Sequence, residues 1–145
     1  MGVEEIKPNI LVIDDRFDIR SSVRFLLEDN GYRVQEATHP DEAKSLLEKH
    51  KVNLILLDMN YSRDTTSGEE GLDFLRWLKG SEQPPPVVVM TAWAHLGLAV
   101  KAMQLGAGDF LEKQWKNQRF LQIIEQQLTL KGLVEQNNKL KQCLQ

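Results

Sequence analysis

The chain has 145 residues and a formal net charge of −3, so it is long enough for one domain with a full core and gives no reason to expect direct nucleic-acid binding. Its single cysteine, Cys143, excludes an internal disulfide and fits a reducing compartment. No apolar run approaches the roughly 18 residues that span a bilayer, and the first residues do not resemble a secretory signal. We therefore expect a soluble, cytoplasmic protein that has no membrane partner.

Short apolar runs alternate along the chain with segments whose apolar residues recur at helical spacing. The run 54–57 is four consecutive apolar residues between polar ones, which is typical of a strand buried on both faces. The predicted strands are 9–13, 33–37, 54–57, 87–90 and 109–111. The predicted helices are 17–30, 40–50, 71–79, 96–105 and a last helix that begins near residue 117.

This order is a strand followed by a helix, repeated five times. Right-handed crossover connections then place helices on both faces of a single parallel sheet. The predicted fold class is α/β, with a doubly wound, five-stranded parallel sheet in the flavodoxin-like order 2-1-3-4-5. In sheets of this kind, ligands bind at the carboxyl ends of the strands.

Polar side chains stand where four predicted strands end: Asp14 with Asp15, Asp58, Thr91 and Lys113. Three carboxylates at one sheet edge would repel one another, and a hard divalent cation such as Mg²⁺ would relieve that repulsion. A carboxylate can also attack phosphorus to form an aspartyl-phosphate, and a hydroxyl and an ammonium suit the remaining phosphoryl oxygens. A solvated turn is the plain alternative for each residue alone, but it explains the whole set poorly.

In this order, these residues resemble the receiver domain of bacterial two-component response regulators, and the resemblance covers about residues 9–128. The motifs that carry it are Asp14-Asp15, Asp58, Thr91-Ala92 and the segment 109–113. The resemblance implies a CheY-like fold that accepts a phosphoryl group from a sensor histidine kinase in the presence of Mg²⁺. It also implies a switch rather than an enzyme, with no chemistry beyond its own phosphorylation and dephosphorylation.

The resemblance assigns roles to the acidic residues by position. Asp58 is expected to be the phosphoacceptor. Asp15 is expected to bind Mg²⁺ directly, with Asp14 beside it and often acting through water. The backbone carbonyl of Asn60 is expected to be a further metal ligand.

The resemblance assigns the readout of phosphorylation to residues on the last two strands. Thr91 is expected to bind a phosphoryl oxygen and swing inward, and Lys113 is expected to pair with the phosphoryl group. Phe110 occupies the position of the rotating switch aromatic. Trp93 stands where side chains can flank the phosphoryl group, so its indole is expected to obstruct attacking water and lengthen the life of the phosphoform; simple surface packing is the alternative.

The chain departs from the receiver pattern at two places. The family usually has a cis proline after the lysine, and here Gln114 follows Lys113. A cis bond before a non-proline residue costs about 2.5–4 kcal/mol, so the sequence leaves open whether this peptide is cis or is trans with Lys113 placed differently. The polar connection after Asp58 is also long, so we expect an insertion over the site at residues 61–70.

The last residues form a heptad-like tail. We expect a receiver domain over residues 1–128 and, over residues 129–145, a helical linker or coiled coil toward an output domain. Leu130, Asn137 and Leu144 fall at a positions, and Leu133 and Leu140 fall at d positions, which favours a parallel two-stranded pairing. A homodimer is therefore expected, through this seam or through the face formed by the fourth helix, fifth strand and fifth helix.

The insertion and linker look like NtrC-type regulators of sigma-54 promoters, so the expected output is transcription regulation. Two alternatives stay open. The first is a magnesium-dependent phosphatase of the haloacid dehalogenase type, which also uses an aspartyl nucleophile but needs an acid two residues later, where this chain has Asn60. The second is a degenerate receiver that acts only in protein interaction.

Overall fold

The computed structural model describes residues 7–59, 69–92 and 96–143. The strands in these ranges are β1 (Asn9–Ile13), β2 (Arg33–Ala37), β3 (Leu54–Asp58), β4 (Val87–Thr91) and β5 (Asp109–Glu112). The helices are α1 (Phe17–Asp29), α2 (Pro40–Lys49), α3 (Glu69–Lys79), α4 (Leu96–Gln104) and α5 (Asn117–Cys143). Strand and helix alternate along the chain, as the sequence predicts.

The strands form one parallel sheet in the order β2-β1-β3-β4-β5, which confirms the predicted fold class and strand order. All five residues of the central strand β3 are buried. Because the strands run in the same direction, their last residues meet at one edge of the sheet. There Asp58 lies beside Met90, and Thr91 lies beside Glu112.

Alternate residues of β3 point into two separate cores. Leu54 and Leu56 pack on the face that α1 and α5 cover, where Phe120 is fully buried. Ile55 and Leu57 pack on the opposite face, with buried residues of α2, α3 and α4. Burying one such side chain is worth roughly 1.5–3 kcal/mol, so the apolar run that predicts β3 also attaches both layers of helices.

Three strands are one residue longer than predicted, because a polar side chain does not interrupt backbone pairing. The added residues are Asp58, Thr91 and Glu112. The ladder continues past them: the Met59 amide donates to the Met90 carbonyl at 3.0 Å, and the Lys113 amide donates to the Thr91 carbonyl at 2.8 Å. The polar residues that end these strands are therefore held by the sheet itself.

Helix α3 begins earlier than the sequence predicts. Glu69 and Glu70, which the prediction places in the insertion, lie in its first turn. The rest of the expected insertion, residues 61–68, lies outside the described residues, so the idea that it covers the site stays a prediction.

Helix α5 is 27 residues long and crosses residue 128 without a break, where the predicted linker begins. Its first turns are anchored by Phe120, Ile123 and Ile124, which are all buried. The predicted heptad positions from Leu133 onward lie beyond the side chains that the structure describes. Within the described ranges, no helix is both long and apolar enough to cross a bilayer.

Gly71 allows α3 to approach the end of β3 closely. A Cβ atom at this position would stand 2.8 Å from the sulfur of Met59 and 3.7 Å from the Asp58 carbonyl oxygen. Met59 is fully buried, so the end of its side chain would have to change conformation within the core to make room. The close contact between α3 and Met59 is therefore possible only because Gly71 has no side chain.

We expect Gly71→Ala to lower the free energy of unfolding by up to about 2 kcal/mol, because overpacking against Met59 outweighs the better helix propensity of alanine. Gly97→Ala is the matched control, since nothing lies within 4 Å of a Cβ at that helical glycine. Urea unfolding of both variants measures the difference. Equal stability of the two variants would mean that Met59 gives way without cost.

Candidate functional site

Four strands deliver the candidate residues to the carboxyl edge of the sheet. Asp14 follows β1, Asp58 ends β3, Thr91 ends β4 and Lys113 follows β5. Asp14 is tied to the edge strand as well, because its amide donates to the Ala37 carbonyl at 3.0 Å. The structure thus places all four residues at one edge of the sheet, as the sequence predicts.

The three aspartates form one acidic cluster. Asp14, Asp15 and Asp58 each offer a carboxylate oxygen, and these oxygens lie within 4.8 Å of one another. Asp14 and Asp58 are completely buried, whereas Asp15 is half-buried. Burial strengthens the repulsion among the charges, because less water is available to screen them.

Lys113 supplies positive charge to this cluster. Its ammonium nitrogen lies 2.9 Å from Oδ1 of Asp58 and 3.9 Å from Oδ2 of Asp14. The lysine side chain is only 18% exposed, so the ion pair with Asp58 is largely shielded from solvent. The backbone hydrogen bond from Lys113 to Thr91 fixes where this side chain leaves the sheet.

The surroundings of Asp14 shift the pKa of its carboxyl group. Burial raises the pKa of its carboxyl above the usual value, and the neighbouring charge of Asp15 raises it further. The amide of Arg16, which donates to Oδ1 at 2.9 Å, and the ammonium of Lys113 both lower this pKa, but they offset the rise only in part.

The donor set fits a hard divalent cation. Oδ2 of Asp14 is buried, and no group among the described residues forms a hydrogen bond with it. Three carboxylates close together, one with an unsatisfied buried oxygen, are the oxygen-rich surroundings that Mg²⁺ prefers. The residues present are thus compatible with the predicted magnesium site.

The turn after β5 lacks the cis peptide that the resemblance to receiver domains implies. The Lys113–Gln114 peptide is trans, as is every peptide bond among the described residues, and Gln114 adopts the left-handed conformation with φ of 72°. On the far side of the turn, Trp115 packs against Phe120 with ring centroids 5.0 Å apart. Even with a trans peptide, Lys113 reaches Asp58.

The two predicted switch residues differ in their surroundings. Thr91 is completely buried, and its hydroxyl lies 3.4 Å from the Ala92 carbonyl oxygen. Phe110 is 36% exposed and lines a surface cavity of about 490 Å³ together with Lys113 and Gln114. Asn60 and Trp93, the predicted carbonyl ligand and the predicted gate, lie outside the described residues.

Arg20 contacts the site, although the sequence does not single it out. It lies on α1, and its Nη1 donates to the backbone carbonyl of Asp14 at 2.7 Å. An arginine inside an amphipathic helix is ordinary, so the sequence holds no signal beyond its place shortly after the Asp14-Asp15 pair.

The family described as "Response regulator receiver domain" matches residues 10–125. The nitrogen assimilation regulatory protein NtrX of Azorhizobium caulinodans is 34% identical over 138 residues, which is 94% of this chain and 30% of that protein. The transcriptional regulatory protein FixJ of Bradyrhizobium diazoefficiens is 34% identical over 122 residues, which is 82% of this chain and 56% of that protein. The chain therefore spans only part of these relatives.

Solved structures support the same family assignment. The receiver domain of NtrX from Brucella abortus superposes with a TM-score of 0.75 at 32% identity, covering 83% of this chain and 98% of that one. NtrX from Brucella abortus in complex with ADP gives a TM-score of 0.84 at 30% identity, covering 93% of this chain and 30% of that one. These matches support a receiver domain over the magnesium-dependent phosphatase of the haloacid dehalogenase type.

The left-handed backbone conformation of Gln114 predicts how substitutions at this position change stability. Because a β-branched residue is strongly disfavoured in the left-handed conformation, Gln114→Val is expected to lower the free energy of unfolding by about 1–2 kcal/mol. Gln114→Gly should not cost stability in this way, because glycine adopts positive φ freely. Gln118→Val, an exposed position in the first turn of α5, is the control and should cost no more than about 0.7 kcal/mol. Urea unfolding decides, and equal losses for the two valine variants would contradict the left-handed turn.

Proposed function

We propose that this chain, which belongs to the response regulator receiver domain family, accepts a phosphoryl group on Asp58 from a phosphohistidine of a sensor histidine kinase. One observation carries the proposal: the buried carboxylate of Asp58 lies 2.9 Å from the Lys113 ammonium and within a cluster of three carboxylates. This arrangement combines a nucleophile, a cation for a phosphoryl oxygen and the ligands for a divalent metal at one point.

In the proposed transfer, a carboxylate oxygen of Asp58 attacks phosphorus while the phosphorus–nitrogen bond of the phosphohistidine breaks, and the electron pair leaves with the imidazole. The Lys113 ammonium, now paired with Asp58, moves its pairing to a phosphoryl oxygen. Mg²⁺, when bound by Asp14, Asp15, Asp58 and the carbonyl of Asn60, supplies positive charge at the phosphoryl oxygens.

The phosphoryl group is proposed to shift an equilibrium between two conformations. The Thr91 hydroxyl lies at the end of the strand beside Asp58, so it can bind a phosphoryl oxygen and draw the end of β4 inward. Phe110, on the neighbouring strand β5, is exposed enough to turn inward in response. The domain is thus a phosphoacceptor switch, whose only reactions are its own phosphorylation and dephosphorylation.

The output is proposed to be transcription regulation through a domain beyond residue 145. NtrX and FixJ are named as regulators, and this chain covers only part of each. The uninterrupted helix α5 supports a receiver over residues 1–128 that continues directly into a helical linker. We also propose that the output domain is of the NtrC type and sigma-54-dependent. The protein is proposed to act in the cytoplasm, where sensor kinases act.

The phosphoacceptor is tested by intact-mass measurement after incubation with acetyl phosphate. The unmodified chain should gain the mass of one phosphoryl group when Mg²⁺ is present and none when it is chelated. Asp58→Ala should gain none, because it lacks the nucleophile. Asp73→Ala, which removes an exposed aspartate on α3, is the control and should be phosphorylated normally. Phosphorylation of the Asp58→Ala protein would show that another residue is the acceptor.

The proposed dimer is tested by sedimentation. The intact chain is expected to form dimers at tens of micromolar, because leucines at heptad positions in the tail bury each other across a seam. A fragment that ends at Gln127 should run as a monomer. Monomers of both, with and without beryllofluoride, would exclude the tail as a dimerising element in this chain.

A further inference from the structure

Arg20 connects the acidic cluster to two secondary-structure elements. Its Nη1 donates to the backbone carbonyl of Asp14 at 2.7 Å, and its Nε lies 3.2 Å from Oε1 of Glu36 on β2. The guanidinium thus bridges the turn after β1 and the edge strand, while its own backbone belongs to α1. Its side chain is only 12% exposed, so these bonds are stronger than those of a solvated surface pair.

The carbonyl that Arg20 binds belongs to the peptide unit between Asp14 and Asp15. Because a peptide unit is planar, fixing the Asp14 carbonyl also fixes the direction in which the chain reaches the Cα atom of Asp15. Asp14 is completely buried and is also held by bonds to Ala37 and Arg16. Asp15 is only half-buried, so its orientation depends more on the backbone than on core packing.

We infer that Arg20 is a positioning residue, which sets the Asp14–Asp15 peptide so that both carboxylates face the divalent cation. The inference rests on the proposed metal site and adds to it a residue that lies outside the acidic cluster. Groups that orient metal ligands typically change metal affinity by 10–100-fold when they are removed. Loss of the arginine should therefore weaken the binding of the cation, although every residue that supplies a proposed ligand is still present.

The neighbouring arginine provides a control within the same network. Arg24 lies one turn further along α1 and also pairs with Glu36, at 2.6 Å, as well as with Glu28. No hydrogen bond connects its side chain to the turn at Asp14 among the described residues. Arg24→Ala therefore removes a comparable link between α1 and β2 without releasing the Asp14 carbonyl.

The test measures Mn²⁺ binding to the full chain by the loss of the electron paramagnetic resonance signal of the free ion. We expect Arg20→Ala to raise the dissociation constant about tenfold and Arg24→Ala to change it less than twofold. Arg20→Lys should resemble Arg20→Ala, because an ammonium lacks the planar fork that reaches the Asp14 carbonyl and Glu36 together. Urea unfolding of each variant confirms that it is folded under the binding conditions.

The other possible results of this experiment lead to different conclusions. Wild-type affinity in Arg20→Lys would show that positive charge near the cluster is sufficient, and it would overturn the positioning role. Wild-type affinity in Arg20→Ala, or equal weakening in Arg20→Ala and Arg24→Ala, would overturn it as well. If the unmodified chain bound no Mn²⁺, the proposed metal site itself would be wrong, which is a separate failure.

Discussion

Electrostatic repulsion among Asp14, Asp15 and Asp58 is the constraint on which this structure depends. A parallel sheet brings the ends of its strands to one edge, and two of the three carboxylates are completely buried there. Removing such charges from water costs several kcal/mol for each ion unless opposite charges and hydrogen bonds compensate. Lys113 supplies part of that compensation, but it is a single cation beside a cluster of three carboxylates. Such an excess of negative charge favours the binding of a divalent cation.

The architecture could be predicted because buried strands and helices have characteristic patterns of apolar residues in the sequence. The apolar run of β3 indicates a strand covered on both faces, and the alternation of strands and helices then leaves few topologies. The convergence of Asp14, Asp58 and Lys113 follows from the same topology, since each stands at the end of a strand. Element ends were less predictable, because Thr91 and Asp58 remain in the backbone ladder despite their polar side chains.

The parts of the site that escaped prediction involve the backbone. Arg20 acts on a main-chain carbonyl, which every residue possesses and which no side-chain pattern reveals. The left-handed conformation of Gln114 is equally hidden, since residues other than glycine adopt it only where the surrounding structure demands it. Sequence patterns thus identified the three aspartates and Lys113, but not the backbone hydrogen bond from Arg20 or the backbone conformation of Gln114.

The uninterrupted α5 also has a mechanical consequence. Its 27 residues make a rod about 40 Å long, rooted beside the turn that carries Lys113. A tilt of about 5° at the root would carry the far end through about 3.5 Å, roughly two-thirds of a helical turn. A helix of this length would act as a lever, because a small tilt at its root would displace its far end by a distance comparable to the spacing of packed side chains.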